Sequence, residues 1–165
     1  MEAATPSRMA VVPTISAAAG VSLIELTVDN YQHVVELCVD PDQEKFVGTP
    51  AEAIADAYFH PGYVMRAIVT ADNTIVGFLM YGLGDQHRVV VLHRLLIHCT
   101  QQGKGIGSEA LRQLKLHLVR SYGLPLILEL VTNSENAAAI AFYRKLGFEM
   151  SLTPDGKKQR GILRV

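Results

Sequence analysis

The stretch "RVVVLHRLLIHCTQQGKGIGSEALRQL", residues 88–114, runs from an apolar segment through three glycines in five positions into a helical pattern. Residues 88–99 are almost continuously apolar, the pattern of a strand buried on both faces. Beyond the loop, Ile106, Ala110, Leu111, Leu114 and Leu118 share one helical face, and Gly123 supplies a stop. Strand, glycine loop and helix in that order aim unpaired backbone N–H groups at an anion, with the helix dipole behind them. A glycine-rich turn without a ligand is the plainer alternative. Two familiar phosphate loops fail on the residues. Gly103-Lys104 is followed by Gly105 where a triphosphate loop needs Ser or Thr, and Ser108 stands where a dinucleotide fingerprint needs glycine. What remains is Gln102-x-x-Gly105-x-Gly107 after a buried strand.

Working outward, "SLIELTV" (22–28) predicts a first strand, with Asp29 or Asn30 capping a helix over "YQHVVELCV" (31–39). "TPAEAIADAYF" (49–59) opens with a Thr cap, Pro at the first helical position and Glu52 three residues after the cap. "YVMRAIVT" and "TIVGFLMYGLG" are strands about the turn "ADNT". "LPLILELV" (124–131) is a further buried strand and "SENAAAIAFYRKLGF" (134–148) a helix closed by Gly147. A last pair of strands flanks "PDGKK". The order β-α-α-β-β-β-α-β-α-β-β describes one α/β domain over residues 21–165, a mixed sheet with helices on both faces.

Composition narrows the classes. Of 165 residues, 49% are apolar and 19% charged, a globular balance, and no uninterrupted apolar run is long enough to span a membrane. Residues 1–20 show no period, and Glu2, Pro6, Arg8 and Pro13 spoil a signal peptide, so this segment is expected to be a disordered leader. Cys38 and Cys99 are too few to frame a disulfide scaffold and are expected as free thiols, packed as small hydrophobes in a reducing cytoplasm. The six histidines show no metal-ligand spacing with cysteines or carboxylates, so no metal is expected. Residues 1–80 carry ten acids and three bases, residues 81–165 six acids and twelve bases. Either this is solvated surface charge or the basic half binds an anion while the acidic half faces a cation. No aromatic-basic stripe points to nucleic acid.

The segment "LLIHCTQQGKGIGSEAL" resembles the acetyl-CoA-binding motif of the GNAT superfamily of N-acetyltransferases, Q/R-x-x-G-x-G/A. "NSENAAAIAFYRKLGF" resembles its second motif, an Asn followed seven residues later by a Tyr and then K-L-G-F. The likeness covers residues 22–165 and implies a mostly antiparallel central sheet and a single N-acetyltransferase domain. It implies that the pyrophosphate of acetyl-CoA sits on the backbone N–H groups of Gly103, Lys104, Gly105, Ile106, Gly107 and Ser108, behind Gln102. The pantetheine arm would pair with Leu95, Leu96 and Ile97, with Lys104 and Arg112 adding charge near the phosphates.

The family assigns Asn136 to the pantetheine amide and Tyr143 to the departing sulfur. Chemically this is sound, because transfer expels a thiolate and a phenol of pKa about 10 can protonate it. Packing of Tyr143 with Phe142 and Phe148 is the alternative. The attacking amine must also lose a proton. Many relatives place a glutamate where His93 stands, and His93, a water relay, or a merely packed His93 all remain open.

The N-terminal half resembles bacterial spermine/spermidine acetyltransferases, through Gln43 to Val47, "GFLMYG" and the residues around Arg94. His93 and His98 depart from the aromatic and acidic positions of that pattern. The resemblance implies a polyamine or other small amine as acceptor, held by acids of the two short helices, among them Glu36, Asp42 and Glu44. The other acceptors are a protein N-terminus or lysine, and the alternative of another class is a non-catalytic acyl-CoA sensor. Dimers are common in the family.

Overall fold

The computed structural model describes residues 15–16, 20–86 and 88–165. The strands are β1 (Ile15–Ser16), β2 (Val21–Glu25), β3 (Tyr63–Thr70), β4 (Ile75–Leu83), β5 (Val89–Ile97), β6 (Ile127–Asn133), β7 (Glu149–Leu152) and β8 (Lys158–Arg164). The helices are α1 (Tyr31–Val35), α2 (Pro41–Glu44), α3 (Pro50–Phe59), α4 (Ile106–Tyr122) and α5 (Ala137–Lys145). All the strands join one sheet in the order β1-β2-β3-β4-β5-β6-β8-β7. β5 and β6 run parallel and the other pairs antiparallel, which agrees with the expected mixed, mostly antiparallel sheet. Most of the stretch expected as a disordered leader lies outside the described residues. Within it, Ile15 and Ser16 pair with Leu23 and Ser22.

Two cores sandwich the sheet. On one face α4 lays Ile106, Ala110, Leu111, Leu114 and Leu118 against Leu79, Val90, Leu92, Leu128 and Leu130. On the other, Val34, Leu37 and Ala53 of the helical segments cover Ala67, Phe78, Met80 and Leu96. Alternation along β4 explains the division, since Leu79 and Tyr81 face α4 while Phe78 and Met80 face away. Leu114 is fully buried, so Leu114→Ala is expected to cost about 2–5 kcal/mol of stability, read by denaturant unfolding. A loss below 1 kcal/mol there would mean that α4 does not carry this core.

The helix signals differ in outcome. Thr49 forms the full capping box with Glu52, with Pro50 at the first position of α3. Asn30 precedes α1 but does not cap it. Its amide turns back instead, accepting from Thr27 N–H at 2.8 Å and donating to the Glu25 carbonyl at 2.8 Å. The expected helix over 31–39 therefore stops at Val35, and Pro41, which keeps Asp40 extended, starts a separate turn of helix. β6 begins three residues later than expected. Leu126 first exchanges backbone hydrogen bonds with Val165.

Candidate active site

The site originates in one extra residue. β4 and β5 pair in register up to Met80↔Arg94, and then Tyr81 faces Leu92, so His93 is the surplus residue of a β-bulge. Bulges bend the strand that carries them. The parallel pairing of β5 with β6 ends at Leu92↔Leu130, directly beside the bulge. Past that point the two strands separate, and Leu95, Leu96 and Ile97 line a cavity of about 420 Å³.

The glycine loop closes the far end of this cavity. Gly103 (φ 73°) and Gly105 (φ 79°) have left-handed backbones that a side chain strains. Gly105 is also the N-cap of α4 and brings no side chain to it. The first helical bond runs from Glu109 N–H to the Gly105 carbonyl at 3.0 Å. The N–H groups of Ile106, Gly107 and Ser108 thus have no backbone carbonyl partner among the described residues, and the loop around them lines the cavity. A Cβ built at Gly103 or Gly105 meets nothing within 4 Å, so these positions open onto free space rather than onto protein. Such a loop fits a pyrophosphate.

Gln102 braces the loop rather than facing only a ligand. Its Nε2 donates to the Ile97 carbonyl at 3.0 Å, and its amide pairs reciprocally with Gln43 of α2 at 2.8 and 3.1 Å. Asn136 is likewise bifunctional. It stands just before α5 as its N-cap, with Oδ1 accepting from Ala139 N–H at 3.1 Å, which leaves its NH₂ for the cavity. The expected helix from residue 134 therefore starts at Ala137.

Tyr143 lines the same cavity, edge-on to Phe142 and Phe148 with centroids at 5.2 and 5.4 Å. The ring thus packs against its aromatic neighbours and also borders the cavity. Burial pushes its pKa up to about 12, so it is a proton-bearing donor at any physiological pH.

Of the residues expected to hold the cofactor, Leu95, Leu96, Ile97, Gln102, Gly103, Gly105, Ile106, Gly107, Ser108 and Asn136 line this one cavity together with Tyr143. Lys104 points elsewhere, its Nζ donating to Gln101 Oε1 at 2.9 Å. Arg112 grips Glu109 at 2.7 and 2.8 Å, beside Lys115 in an adjoining hollow that shares Gly105 and Ser108 with the first. Val39, Gln43 and Val47 also line the cavity, and of these Val39 carries no local sequence signal.

The opposite face of the bulge is polar. His93 packs against Tyr63 at a tilt of 33° (centroids 4.1 Å), and Tyr63 stacks on His60 (4.8 Å). Together with Tyr63, Asp85, Glu129 and Arg160, His93 lines a hollow of about 390 Å³. Glu129 is bonded to Arg160 at 2.5 Å, and Arg94 reaches Asp56 at 3.4 Å, its Nε buried and without a hydrogen-bond partner among the described residues. Burial, and then the charge of Arg94, lower the His93 pKa below the ordinary histidine range, so the ring is neutral near pH 7. The expected substrate acids are not gathered here. Glu36 borders a separate hollow with His33 and His98, Glu44 another with Cys38 and Phe46, and Asp42 is exposed on α2.

The thiols also differ from expectation. Cys38 is exposed rather than packed, and the two sulfurs lie 3.3 Å apart beside His98. No sequence spacing announces that cluster, because the segment after α1 must first fold back over the end of β5. No helix among the described residues is long and apolar enough to cross a membrane.

A split sheet above an uncapped helix N-terminus, with a phenol at the split, is the architecture of an acyl-CoA-dependent transferase. Residues 21–148 match the model of the acetyltransferase (GNAT) family, and the chain belongs to that family. Among curated relatives it is 32% identical over 103 residues to the L-methionine sulfoximine/L-methionine sulfone acetyltransferase of Pseudomonas paraeruginosa, covering 61% of this chain and 59% of that protein's length. It is 28% identical over 142 residues to the spermine/spermidine N(1)-acetyltransferase of Bacillus subtilis, covering 79% of this chain and 89% of that one. Solved structures of the same fold include an acetyltransferase from Thermus thermophilus (TM-score 0.72, 21% identity, 88% of this chain and 97% of that one). Another is spermidine N-acetyltransferase from Vibrio cholerae with CoA and spermine (TM-score 0.70, 15% identity, 88% and 95%).

Proposed function

We propose that this protein transfers the acetyl group of acetyl-CoA to the primary amine of a small cationic acceptor, a polyamine such as spermidine or spermine. The observation that carries the transferase reading is the opening of β5 from β6 directly over the bare N-terminus of α4, with the Tyr143 phenol in the opening. Acetyl-CoA supplies the activated thioester. The N–H groups of residues 103–108 hold its phosphates, the strand edge 95–97 and the Asn136 NH₂ hold its arm, and Tyr143 donates to sulfur. A sensor needs binding but no acid at that place.

The acceptor enters on the His93 face. Neutral His93 accepts a proton from the ammonium group, directly or through one water. Asp85 and Glu129 line the hollow at that entry, and the exposed Glu36, Asp42 and Glu44 draw a polycation toward it by long-range attraction. Support for polyamines comes from this acidic side and from the Bacillus and Vibrio relatives. A second reading, an α-amino acid acceptor, is favoured by the Pseudomonas relative.

Thiol release from acetyl-CoA separates these readings when spermidine, spermine, methionine sulfoximine and peptide N-termini are offered in turn. Release with the amino acid alone would overturn the polyamine assignment, and release with none would overturn the enzyme. As for pH, protonation of His93 removes the base, so kcat is expected to fall only below the ordinary histidine range near pH 6.5. His93→Gln is expected to abolish that acid limb and lower kcat about tenfold, a modest factor because the half-exposed site admits a relaying water. An unchanged limb in the variant would reassign the proton to water.

A further inference from the structure

Cys38 and Cys99 are 61 positions apart in sequence, yet their sulfurs share a contact of 3.3 Å. The surrounding backbone already fixes the two segments to one another, with Cys99 N–H donating to the Cys38 carbonyl at 2.8 Å. His98 completes the cluster. Its Nδ1 accepts the Cys38 N–H at 3.2 Å and lies 3.7 Å from the Cys38 sulfur. Cys38 is exposed, so a small oxidant reaches the pair from solvent.

We propose that Cys38 and Cys99 form a reversible disulfide that staples the segment leading into α2 to the loop closing the cofactor cavity. An S–S bond of about 2.05 Å requires the sulfurs to approach by only about 1.2 Å. With hydrogen peroxide as oxidant, one thiolate attacks a peroxide oxygen, the O–O bond breaks, and the expelled hydroxide takes up a proton to become water, leaving a sulfenic acid. The second thiol attacks that sulfur, the S–S bond forms, and a second water leaves. Two thiol hydrogens and one peroxide thus become one disulfide and two waters. A small-molecule disulfide reaches the same product by exchange, releasing two thiols.

Two thiols and an imidazole are also a soft-metal donor set. Two features favour the disulfide. The His98 Nδ1, the ring nitrogen 3.7 Å from the Cys38 sulfur, already accepts the Cys38 N–H, and the cluster offers no fourth protein ligand among the described residues. The consequence for the neighbouring cavity follows from position. Val39, next to Cys38, and Gln101 and Gln102, just after Cys99, all line it. Drawing the sulfurs together moves the wall and the loop that must present N–H groups with sub-ångström accuracy.

The test uses the full chain, reduced, freed of reductant and treated with one equivalent of hydrogen peroxide. Hydrogen bonding to Cys99, and then partial desolvation, raise the Cys38 pKa, so the oxidation is run at alkaline pH to increase the thiolate fraction. Expected are loss of both titratable thiols, loss of two hydrogens by intact mass, and a Tm higher by roughly 8–15 °C from closing a 61-residue separation. Dithiothreitol should reverse all three, and Cys38→Ser and Cys99→Ser should each abolish them. These readouts need no acetyl-CoA, so they stand apart from the proposed activity. The remaining arm rests on that activity, and KM for acetyl-CoA is expected to rise several-fold on oxidation and recover on reduction. Stepwise oxidation to sulfinic acid without a disulfide, or zinc retained through purification with both thiols protected, would overturn the bond. A disulfide that leaves KM unchanged would overturn its action on the loop.

Discussion

Replacing Gly105 by valine is expected to raise the dissociation constant for coenzyme A at least about a hundredfold while leaving the protein folded. Two effects act together. At φ 79° a β-branched residue strains the backbone by about 1–2 kcal/mol, which alone is about a tenfold effect if the loop relaxes to escape it. The larger effect is occlusion. Among the described residues, no heavy atom beyond the adjoining ones lies within 4 Å of a Cβ at this position, so a side chain there is expected to project into the open space that the loop lines and to crowd an anion held by the Ile106, Gly107 and Ser108 N–H groups. Losing even two charge-assisted hydrogen bonds to phosphate, at about 1.5–3 kcal/mol each, exceeds a hundredfold. Calorimetric titration with coenzyme A measures it, with thermal unfolding as the control. Wild-type affinity in a folded variant would remove the loop from the binding site.

Tyr143→Phe is expected to lower kcat by about 10- to 100-fold and to change acetyl-CoA affinity by less than about twofold. The magnitude comes from weighing two ways the phenol can act. Complete proton transfer to a thiolate of ordinary pKa about 8.5 from a phenol pushed up to about 12 runs uphill by roughly 4–5 kcal/mol. A hydrogen bond held to the developing charge needs no such transfer and contributes about 1.5–3 kcal/mol. The second wins, which sets the range and places the effect on kcat, because a neutral thioester sulfur is a weak acceptor. Phenylalanine keeps the edge contacts with Phe142 and Phe148, so the helix should remain in place. Single-turnover kinetics with saturating acetyl-CoA reads the chemical step, and an unaltered rate would leave Tyr143 as a packing residue.

The local devices were legible because their physics is local. The loop at 103–108 announces itself through glycines that only positive φ or close approach requires, and the period of α4 identifies its buried face in advance. The Thr49 capping box needs four residues and appears as written. Signals that depend on a distant partner were misread. Asn30 has the chemistry of a cap but finds Thr27 and the Glu25 carbonyl instead. Where acids gather in space is likewise beyond a local reading, since the carboxylates that share a hollow with His93 are Asp85 and Glu129, from the β4–β5 turn and β6.

By itself, then, the sequence determined a strand, a glycine loop and an amphipathic helix, and with the Asn136–Tyr143 segment the family to which they belong. Only the tertiary structure decided where the sheet opens, because a bulge exists only in the register of two paired strands, and β5 gains its surplus residue at His93 against β4. It alone joined Gln43 to Gln102 across 59 positions and Cys38 to Cys99 across 61. Pairings at that separation arise from how whole elements pack, and no window of sequence contains both partners.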